Sequence, residues 1–251
     1  MENDVIDEMF EIPLPKLSSE VRRKIHKPSD ITSISKNNIN ELITDSAIQD
    51  EIGFRKSDNG NYLIAMNLDM PDITSDMIEW WFWWYSQNSL LYRLWYPGSH
   101  SNILNIEDKV FKGNFHGFKP CTHRVVEDFG HGNMELAIKF RNPEYFGFNR
   151  ELFNENEIGT VISATVGSIS GNIGHSDMVH VFKEKEDGLQ IISRFWIGKN
   201  LPLILKRRFI NDDTAYLLSK HCFIEYTRLS EILPKLYDAY REKIYKIEIG
   251  D

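Results

Sequence analysis

The sequence predicts an α+β fold in which a curled antiparallel sheet grips a long C-terminal helix around a cavity. The main evidence is a series of five β-rich segments between residues 120 and 197, with no helical segment between them. Successive strands of this kind favour an antiparallel meander. A helical pattern then runs from Thr214 to about Leu233, and a sheet closed by such a helix is typical of this fold class.

Composition and charge exclude several classes of protein. Of the 251 residues, 41% are apolar and 26% charged, as in an ordinary globular protein. The 29 basic and 37 acidic side chains give a net charge of −8, which argues against nucleic acid as a partner, because phosphates require a basic surface. No stretch approaches the ~20 apolar residues of a membrane span. The acidic first residues do not resemble a signal peptide, and two cysteines form no disulfide framework, so we expect a cytoplasmic protein.

The beginning of the chain differs from the rest. Residues 1–60 contain three prolines, many charges and only short amphipathic pieces, too little to bury a core of their own. We therefore expect residues 1–60 to form an N-terminal arm or small helical subdomain, packed on a main domain of residues 61–251. At the boundary, Asp-Asn-Gly-Asn at residues 58–61 indicates a turn, and residues 62–66 are predicted to form a strand that Pro71 closes.

An aromatic helix is predicted next. Thr74 is a suitable N-cap, Asp76 lies in the first turn, and the apolar run Met77–Tyr85 follows. Because this run is apolar nearly all round, the helix must be buried or lie between two layers.

From about residue 120 the spacing of apolar residues changes from a helical period to a period of two, and this change predicts the strands of the sheet. The predicted strands are 122–128, 133–140, 158–167, 178–185 and 189–197, with a hairpin turn at Asp187-Gly188. Asp212 or Asp213 is predicted to cap the final helix, and Pro234 to bend or restart it.

His221 and Glu225 are the clearest chemical signal on the final helix. Their i,i+4 spacing places an imidazole and a carboxylate on one face, where both can reach one cation, although an ordinary helical His–Glu pair has the same spacing. His100, after a Pro-Gly turn, and Glu127, on a predicted strand, are further candidates. A solvent-facing carboxylate is the simpler interpretation of Glu127. Two histidines and two glutamates would suit zinc if they met.

Several motifs occur in an order that decides between these interpretations. They are Trp80-Trp81-Phe82-x-Trp84, Tyr92-Arg93-Leu94-Trp95-x-Pro97, His100, Val126-Glu127, Phe140-x-Asn142-Pro143, Ser193-Arg194-Phe195-Trp196-x-Gly198 and His221-x-x-x-Glu225. Together they resemble the family of diacetylphloroglucinol hydrolase and phloretin hydrolase over roughly residues 60–230. The resemblance implies a START-like helix-grip domain with a helical N-terminal part, a homodimer, and a zinc ion. The zinc ligands that it implies are His100, Glu127, His221 and Glu225.

One position departs from the family pattern. Tyr85 stands where the tryptophan motif of the family usually ends in histidine. This difference leaves the polarity of the pocket and the choice of substrate open.

The reaction that the resemblance implies is hydrolysis of the carbon–carbon bond between a hydroxylated aromatic ring and its acyl group. The substrate would be a small aromatic ketone and one product a carboxylic acid, with zinc polarising the carbonyl or activating water. Because the ring carbon must be protonated as the bond breaks, a proton carrier is needed. We expect His180 in this role, with His175 and His123 as alternatives.

Other side chains are expected to hold the substrate. Tyr92 would hydrogen-bond the phenolic oxygens, and an apolar wall for the flat ring would come from Trp81, Trp84 and Trp95. Core packing explains these tryptophans almost as well. The competing function is a non-catalytic START-like protein that binds an aromatic or hydrophobic small molecule, which needs a cavity but no metal ligands. A zinc-stabilised structural dimer is a third alternative.

Overall fold

An antiparallel sheet forms the body of the computed structural model, which describes residues 4–107, 121–168 and 174–242. Its strands are β1 (Gly53–Lys56), β2 (Tyr62–Pro71), β3 (His100–Glu107), β4 (Thr122–Asp128), β5 (Asn133–Arg141), β6 (Ile158–Ser168), β7 (Gly174–Lys185) and β8 (Gly188–Ile197). They lie in the order β1-β2-β8-β7-β6-β5-β4-β3, and every neighbouring pair is antiparallel.

The helices pack around this sheet. They are α1 (Asp4–Glu11), α2 (Ser19–Ile25), α3 (Glu41–Thr44), α4 (Ser46–Gln49), α5 (Ser75–Trp84), α6 (Ser89–Trp95), α7 (Leu203–Phe209) and α8 (Asp212–Tyr240). Short 3-10 helices follow α5 and connect β5 to β6. A curled antiparallel sheet around a long C-terminal helix confirms the predicted α+β helix-grip fold.

The end residues of α8 differ from the prediction. Asn211 is the N-cap, because its side chain accepts a hydrogen bond from the backbone N–H of Thr214 at 2.9 Å. Asp212 and Asp213 lie in the first turn instead, where their charges favour the helix dipole. The helix also continues through Pro234 without restarting, since packing of its buried side chains outweighs the loss of one backbone hydrogen bond.

The sequence analysis did not predict the strands β1 and β3. β1 is only four residues long, too short for a period of two to be recognised. It lies within the predicted N-terminal arm, yet it pairs with β2 beyond residue 60. β3 has register shifts between His100 and Asn102 and between Ile103 and Asn105, and such bulges interrupt the alternation of side chains.

The two faces of the sheet are covered by different parts of the chain. On the inner face, Phe182 and Ile191 share a hydrophobic cluster with Tyr226 and Leu229 of α8. On the outer face, Val179, Val181 and Ile192 pack against a second cluster that includes N-terminal residues from Ile34 to Ile48. Residues from Ile34 to Ile48 therefore cover the back of the sheet, and α8 covers the front.

Arg194 attaches part of the N-terminal segment to the sheet. It lies on β8 and is completely buried. Its guanidinium donates to the carbonyl of Ile48 at 2.5 Å and to the carboxylate of Glu51 at 3.0 Å.

Arg228 attaches the beginning of the chain to α8. This buried guanidinium donates to the carbonyls of Met9 at 2.8 Å, Ile12 at 2.7 Å and Leu94 at 3.0 Å. One side chain thus joins α1, α6 and α8 by satisfying backbone groups that have no strand or helix partner there.

No helix in the described parts of the chain combines the length and the hydrophobicity needed to cross a bilayer. The longest of them, α8, spans 29 residues but carries many polar and charged side chains.

We predict that Arg228→Met lowers the free energy of unfolding by about 3 kcal/mol, because each buried carbonyl left without a donor costs roughly 1–3 kcal/mol. Urea unfolding monitored by tryptophan fluorescence measures the change. The matched control is Arg241→Met on the exposed end of α8, which should stay within about 0.5 kcal/mol of wild type. Equal stability of the two variants would contradict the role given to Arg228.

Candidate functional site

Four predicted metal ligands meet where the β3–β4 edge of the sheet approaches α8. His100 is the first residue of β3 and lies directly opposite Glu127 of β4, so their side chains are cross-strand neighbours. His221 and Glu225 occupy successive turns of α8. All four side chains are buried, and Glu127 is therefore not the solvent-facing carboxylate that its strand position also allowed.

The distances among these side chains are those of a compact site. Nε2 of His100 lies 3.3 Å from Nε2 of His221. Oε2 of Glu225 is 3.5 Å from each of these two nitrogen atoms. Ligand atoms of His100, Glu127 and His221 all lie within 4.8 Å of one another.

Neighbouring groups determine which nitrogen of each imidazole carries a proton. The hydroxyl of Ser99 donates to the carbonyl of Asp128 at 2.5 Å, so its oxygen is left to accept from Nδ1 of His221 at 3.1 Å. Nδ1 of His100 lies 3.3 Å from the carbonyl of Tyr92, which can only accept. A ring in its neutral form therefore carries its proton on Nδ1, and its Nε2 presents a lone pair.

When both rings are neutral, three acceptors converge without a donor between them. Two lone pairs on nitrogen and a carboxylate oxygen repel one another unless a cation or a proton lies among them. Nitrogen and oxygen are ligand atoms that zinc accepts, and atoms about 2.1 Å from a tetrahedral ion lie roughly 3.4 Å apart. The separations of 3.3 and 3.5 Å fit that requirement.

The electrostatics of the site agree with this geometry. Burial lowers the pKa of His221, but the nearby Glu225 carboxylate outweighs burial and the pKa is raised overall. Burial likewise raises the pKa of Glu225, but His221 and His100 outweigh it and bring the pKa down to about 2. The group therefore attracts positive charge, in the form of a proton or of a metal ion.

Two aromatic side chains hold the ligands in place. Tyr92 donates a hydrogen bond from its hydroxyl to Oε1 of Glu127, and its ring stacks on that of His100 with centroids 4.3 Å apart. Trp95 donates from Nε1 to the backbone carbonyl of Glu225 at 2.9 Å. Supporting contacts of this kind orient metal ligands. Tyr92 was predicted to bind phenolic oxygens, and the structure adds this contact with a candidate ligand.

A cavity of about 660 Å³ lies beside the ligands, between α8 and the inner face of the sheet. Most of its wall is apolar or aromatic, and Glu127, His221 and Glu225 form part of it. Its size is within the usual range for sites that bind small molecules.

The three tryptophans predicted to form an aromatic wall lie in different places. Trp95 lines the cavity, whereas Trp81 and Trp84 do not. They are completely buried in the core, where Trp84 stacks between Trp80 and Tyr240 with ring centroids 4.8 and 5.3 Å away. Phe82 of α5 and Tyr85, which directly follows α5, line the cavity instead. The sequence did not indicate which face of this run meets the cavity, because the run is apolar nearly all round.

His180 lies on β7 and lines the cavity. Its Nδ1 is 2.7 Å from the hydroxyl of Ser193 on the neighbouring strand β8. Burial lowers its pKa to about 4, although the charge of Glu225 acts in the opposite direction. The ring is therefore neutral near pH 7 and has to take up a proton before it can deliver one.

The two alternative proton carriers occupy different positions. His175 lines the cavity, with Nδ1 3.1 Å from the hydroxyl of Ser176. His123 is not among the lining residues. It is fully buried behind Tyr85, whose hydroxyl lies 3.0 Å from its Nδ1.

Sequence reasoning missed Ser99 and Ser193, and it named Tyr85 and His123 without predicting their contact. For His123 a signal existed, because alternation on β4 places it on the same face as Glu127. The serines have no such signal, since their roles depend on groups more than ten residues away along the chain.

Comparison with known proteins is consistent with this site. A model of the DAPG hydrolase PhiG domain matches residues 34–238. The 2,4-diacetylphloroglucinol hydrolase of Pseudomonas protegens is 28% identical over 239 residues, covering 84% of this chain and 75% of that protein. Phloretin hydrolase of Eubacterium ramulus is 28% identical over 206 residues, covering 74% of this chain and 71% of that protein.

Among solved structures, the di-domain ARO/CYC BexL has a TM-score of 0.42 at 11% identity. That alignment covers 78% of this chain and 53%, about half, of that chain. The family model spans most of the chain and includes all four candidate ligands. The prediction of a hydrolase is confirmed, and the chain belongs to the DAPG hydrolase PhiG domain family.

Proposed function

We propose that this protein is a zinc-dependent hydrolase that cleaves the carbon–carbon bond between a polyhydroxylated aromatic ring and its acyl group. The substrate would be an acylphloroglucinol or a phloretin-like ketone, the class to which the names of the two relatives point. One observation carries the proposal: Nε2 of His100, Nε2 of His221 and Oε2 of Glu225 converge beside a largely apolar cavity.

The ion would be held by four side chains, namely His100, Glu127, His221 and Glu225. Zinc bound there supplies a Lewis acid for the acyl carbonyl or for water. Four protein ligands resemble a closed structural site, so a substrate group needs room beside them to reach the ion. The hydrogen bond from Tyr92 occupies one oxygen of Glu127. Glu127 would then bind the ion through its other oxygen alone, which would leave more room than binding through both.

The cavity supports a flat aromatic substrate. Aromatic side chains from α5, α6, the sheet and α8 line it, among them Phe82, Trp95, Phe195 and Tyr226. Rings pack well against such walls, and a cavity of about 660 Å³ holds an acylated phenol with space remaining.

His180 is proposed to move the proton that the reaction needs. Overall, water adds its hydroxyl group to the acyl carbon and a hydrogen to the ring carbon, giving a carboxylic acid and a phenol. Because Ser193 engages Nδ1 of His180, Nε2 is the atom left to face the substrate. The neutral ring takes a proton from water or from a phenolic hydroxyl and delivers it to the ring carbon.

The assembly and the compartment belong to the same proposal: a homodimer located in the cytoplasm. We expect sedimentation equilibrium to give about twice the chain mass of 29.4 kDa. A monomer at micromolar concentration would contradict the dimer without affecting the proposed chemistry.

We predict about one zinc ion per chain in the purified protein. His221→Ala and Glu225→Ala should each retain less than about a tenth of it, since even the loss of a supporting contact weakens metal binding by roughly 10–100-fold. Elemental analysis by mass spectrometry gives the occupancy, and His26→Ala, at an exposed position, is the control. Wild-type zinc content in both ligand variants would overturn the assignment.

We further predict that the protein releases a carboxylic acid from an acylphloroglucinol and that His180→Gln slows this by about 10²–10⁴-fold, the usual contribution of a positioned proton carrier. Zinc content and melting temperature should stay at wild-type values. An analogue without ring hydroxyls should be inert, because its ring cannot form the keto tautomer.

The outcomes separate the alternatives. A non-catalytic carrier would bind the ketone and return it unchanged. Full activity of the Gln variant would move the proton transfer to His175 or to another group while leaving the hydrolase proposal in place.

A further inference from the structure

Tyr85 is a cavity-lining residue whose hydroxyl group the proposed reaction has not used. It directly follows α5 and is buried, and it lines the cavity together with Phe82 of the same segment. Its ring stacks on Tyr92 with centroids 5.5 Å apart. The charges of Glu127 and Glu225 are close enough to contribute, after burial, to a pKa of Tyr85 well above its ordinary value. The hydroxyl is thus protonated and near the candidate metal ligands.

His123 holds this hydroxyl from behind. Nδ1 of His123 lies 3.0 Å from the Tyr85 oxygen, and its Nε2 lies 3.4 Å from Sγ of Cys121. Burial lowers the pKa of His123 to about 3, so the ring is neutral and has one N–H donor and one bare nitrogen.

The Tyr85 hydroxyl keeps one hydrogen-bonding role for the cavity whichever role it takes towards His123. If it accepts from Nδ1, its O–H can donate to a ligand, and if it donates to Nδ1, its oxygen can still accept. A ligand hydroxyl matches either case because it can both donate and accept, whereas a ring without a hydrogen-bonding group matches neither.

We propose that Tyr85, positioned by His123, binds a ring hydroxyl of the substrate and makes this cavity select hydroxylated rings. The inference rests on the proposed function for the presence of an aromatic ring in the cavity. Tyr92 donates its hydroxyl proton to Glu127, so towards a ring hydroxyl it is left to accept. Tyr85 would thus be a substrate-binding residue and His123 a positioning residue that acts through it.

The test is a binding measurement that needs no turnover. Isothermal titration calorimetry compares phloroglucinol, which has three ring hydroxyls, with 1,3,5-trifluorobenzene, which has similar size and no O–H. We expect the zinc-loaded wild-type protein to prefer phloroglucinol, and Tyr85→Phe to reduce that preference by about tenfold, equivalent to 1.4 kcal/mol. Tyr240→Phe, the same change at a buried ring that does not line the cavity, should leave the preference unchanged.

The role of His123 is tested by a pair of variants. His123→Leu should reduce the preference as Tyr85→Phe does. His123→Asn, whose amide can occupy the position of Nδ1, should restore most of it, which a merely structural role does not explain. In turnover of an acylphloroglucinol, Tyr85→Phe should raise KM about tenfold and change kcat by less than about threefold, as expected for a contact made equally in the ground and transition states.

The outcomes are distinguishable. If wild type hydrolyses acylphloroglucinols and Tyr85→Phe keeps the full preference, the inference fails and the proposed function stands. If wild type neither binds phloroglucinol nor hydrolyses its acyl derivatives, both fail.

Discussion

The convergence of three hydrogen-bond acceptors on one point is the constraint on which the arrangement around the cavity depends. The two Nε2 atoms of His100 and His221 face each other at 3.3 Å, with a carboxylate oxygen of Glu225 at 3.5 Å from both. Ser99 and the carbonyl of Tyr92 hold the imidazole protons on the far side of each ring. Such an arrangement is stable only with positive charge at its centre. Folding therefore creates a point in the protein that attracts a cation.

The fold brings these acceptors together from distant parts of the chain. The register of β3 against β4 sets His100 opposite Glu127, and the final helix carries the other two ligands on one face. Trp95 joins α6 to the carbonyl of Glu225, and Arg228 joins α8 to α6 and to the first helix. The N-terminal residues thus contribute to the position of α8, although none of the candidate ligands lies among them.

The sequence was sufficient for the architecture, and the four side chains that it proposed as metal ligands lie close together in the structure; it was less informative about the cavity. Regular alternation identified β4 to β8, but the bulges of β3 and the shortness of β1 concealed those strands. The four candidate ligands could be proposed because their types and order resemble a known family. The cavity wall was harder to predict, because every residue from Trp80 to Trp84 of α5 is buried and no polar face distinguishes Phe82 and Tyr85 from Trp81 and Trp84. Tertiary packing alone decides which of these rings meets the cavity.

The central claim is that a zinc ion completes the group formed by His100, His221 and Glu225, with Glu127 as the fourth ligand. The most direct test is X-ray diffraction from crystals of the protein purified without added metal, recorded on both sides of the zinc absorption edge. The account predicts an anomalous peak on the high-energy side only, within about 2.3 Å of Nε2 of both histidines and of an oxygen of Glu225. If the electron density of the four side chains is well defined and no anomalous peak lies among them, or if the peak lies elsewhere in the chain, the claim of a zinc site is contradicted.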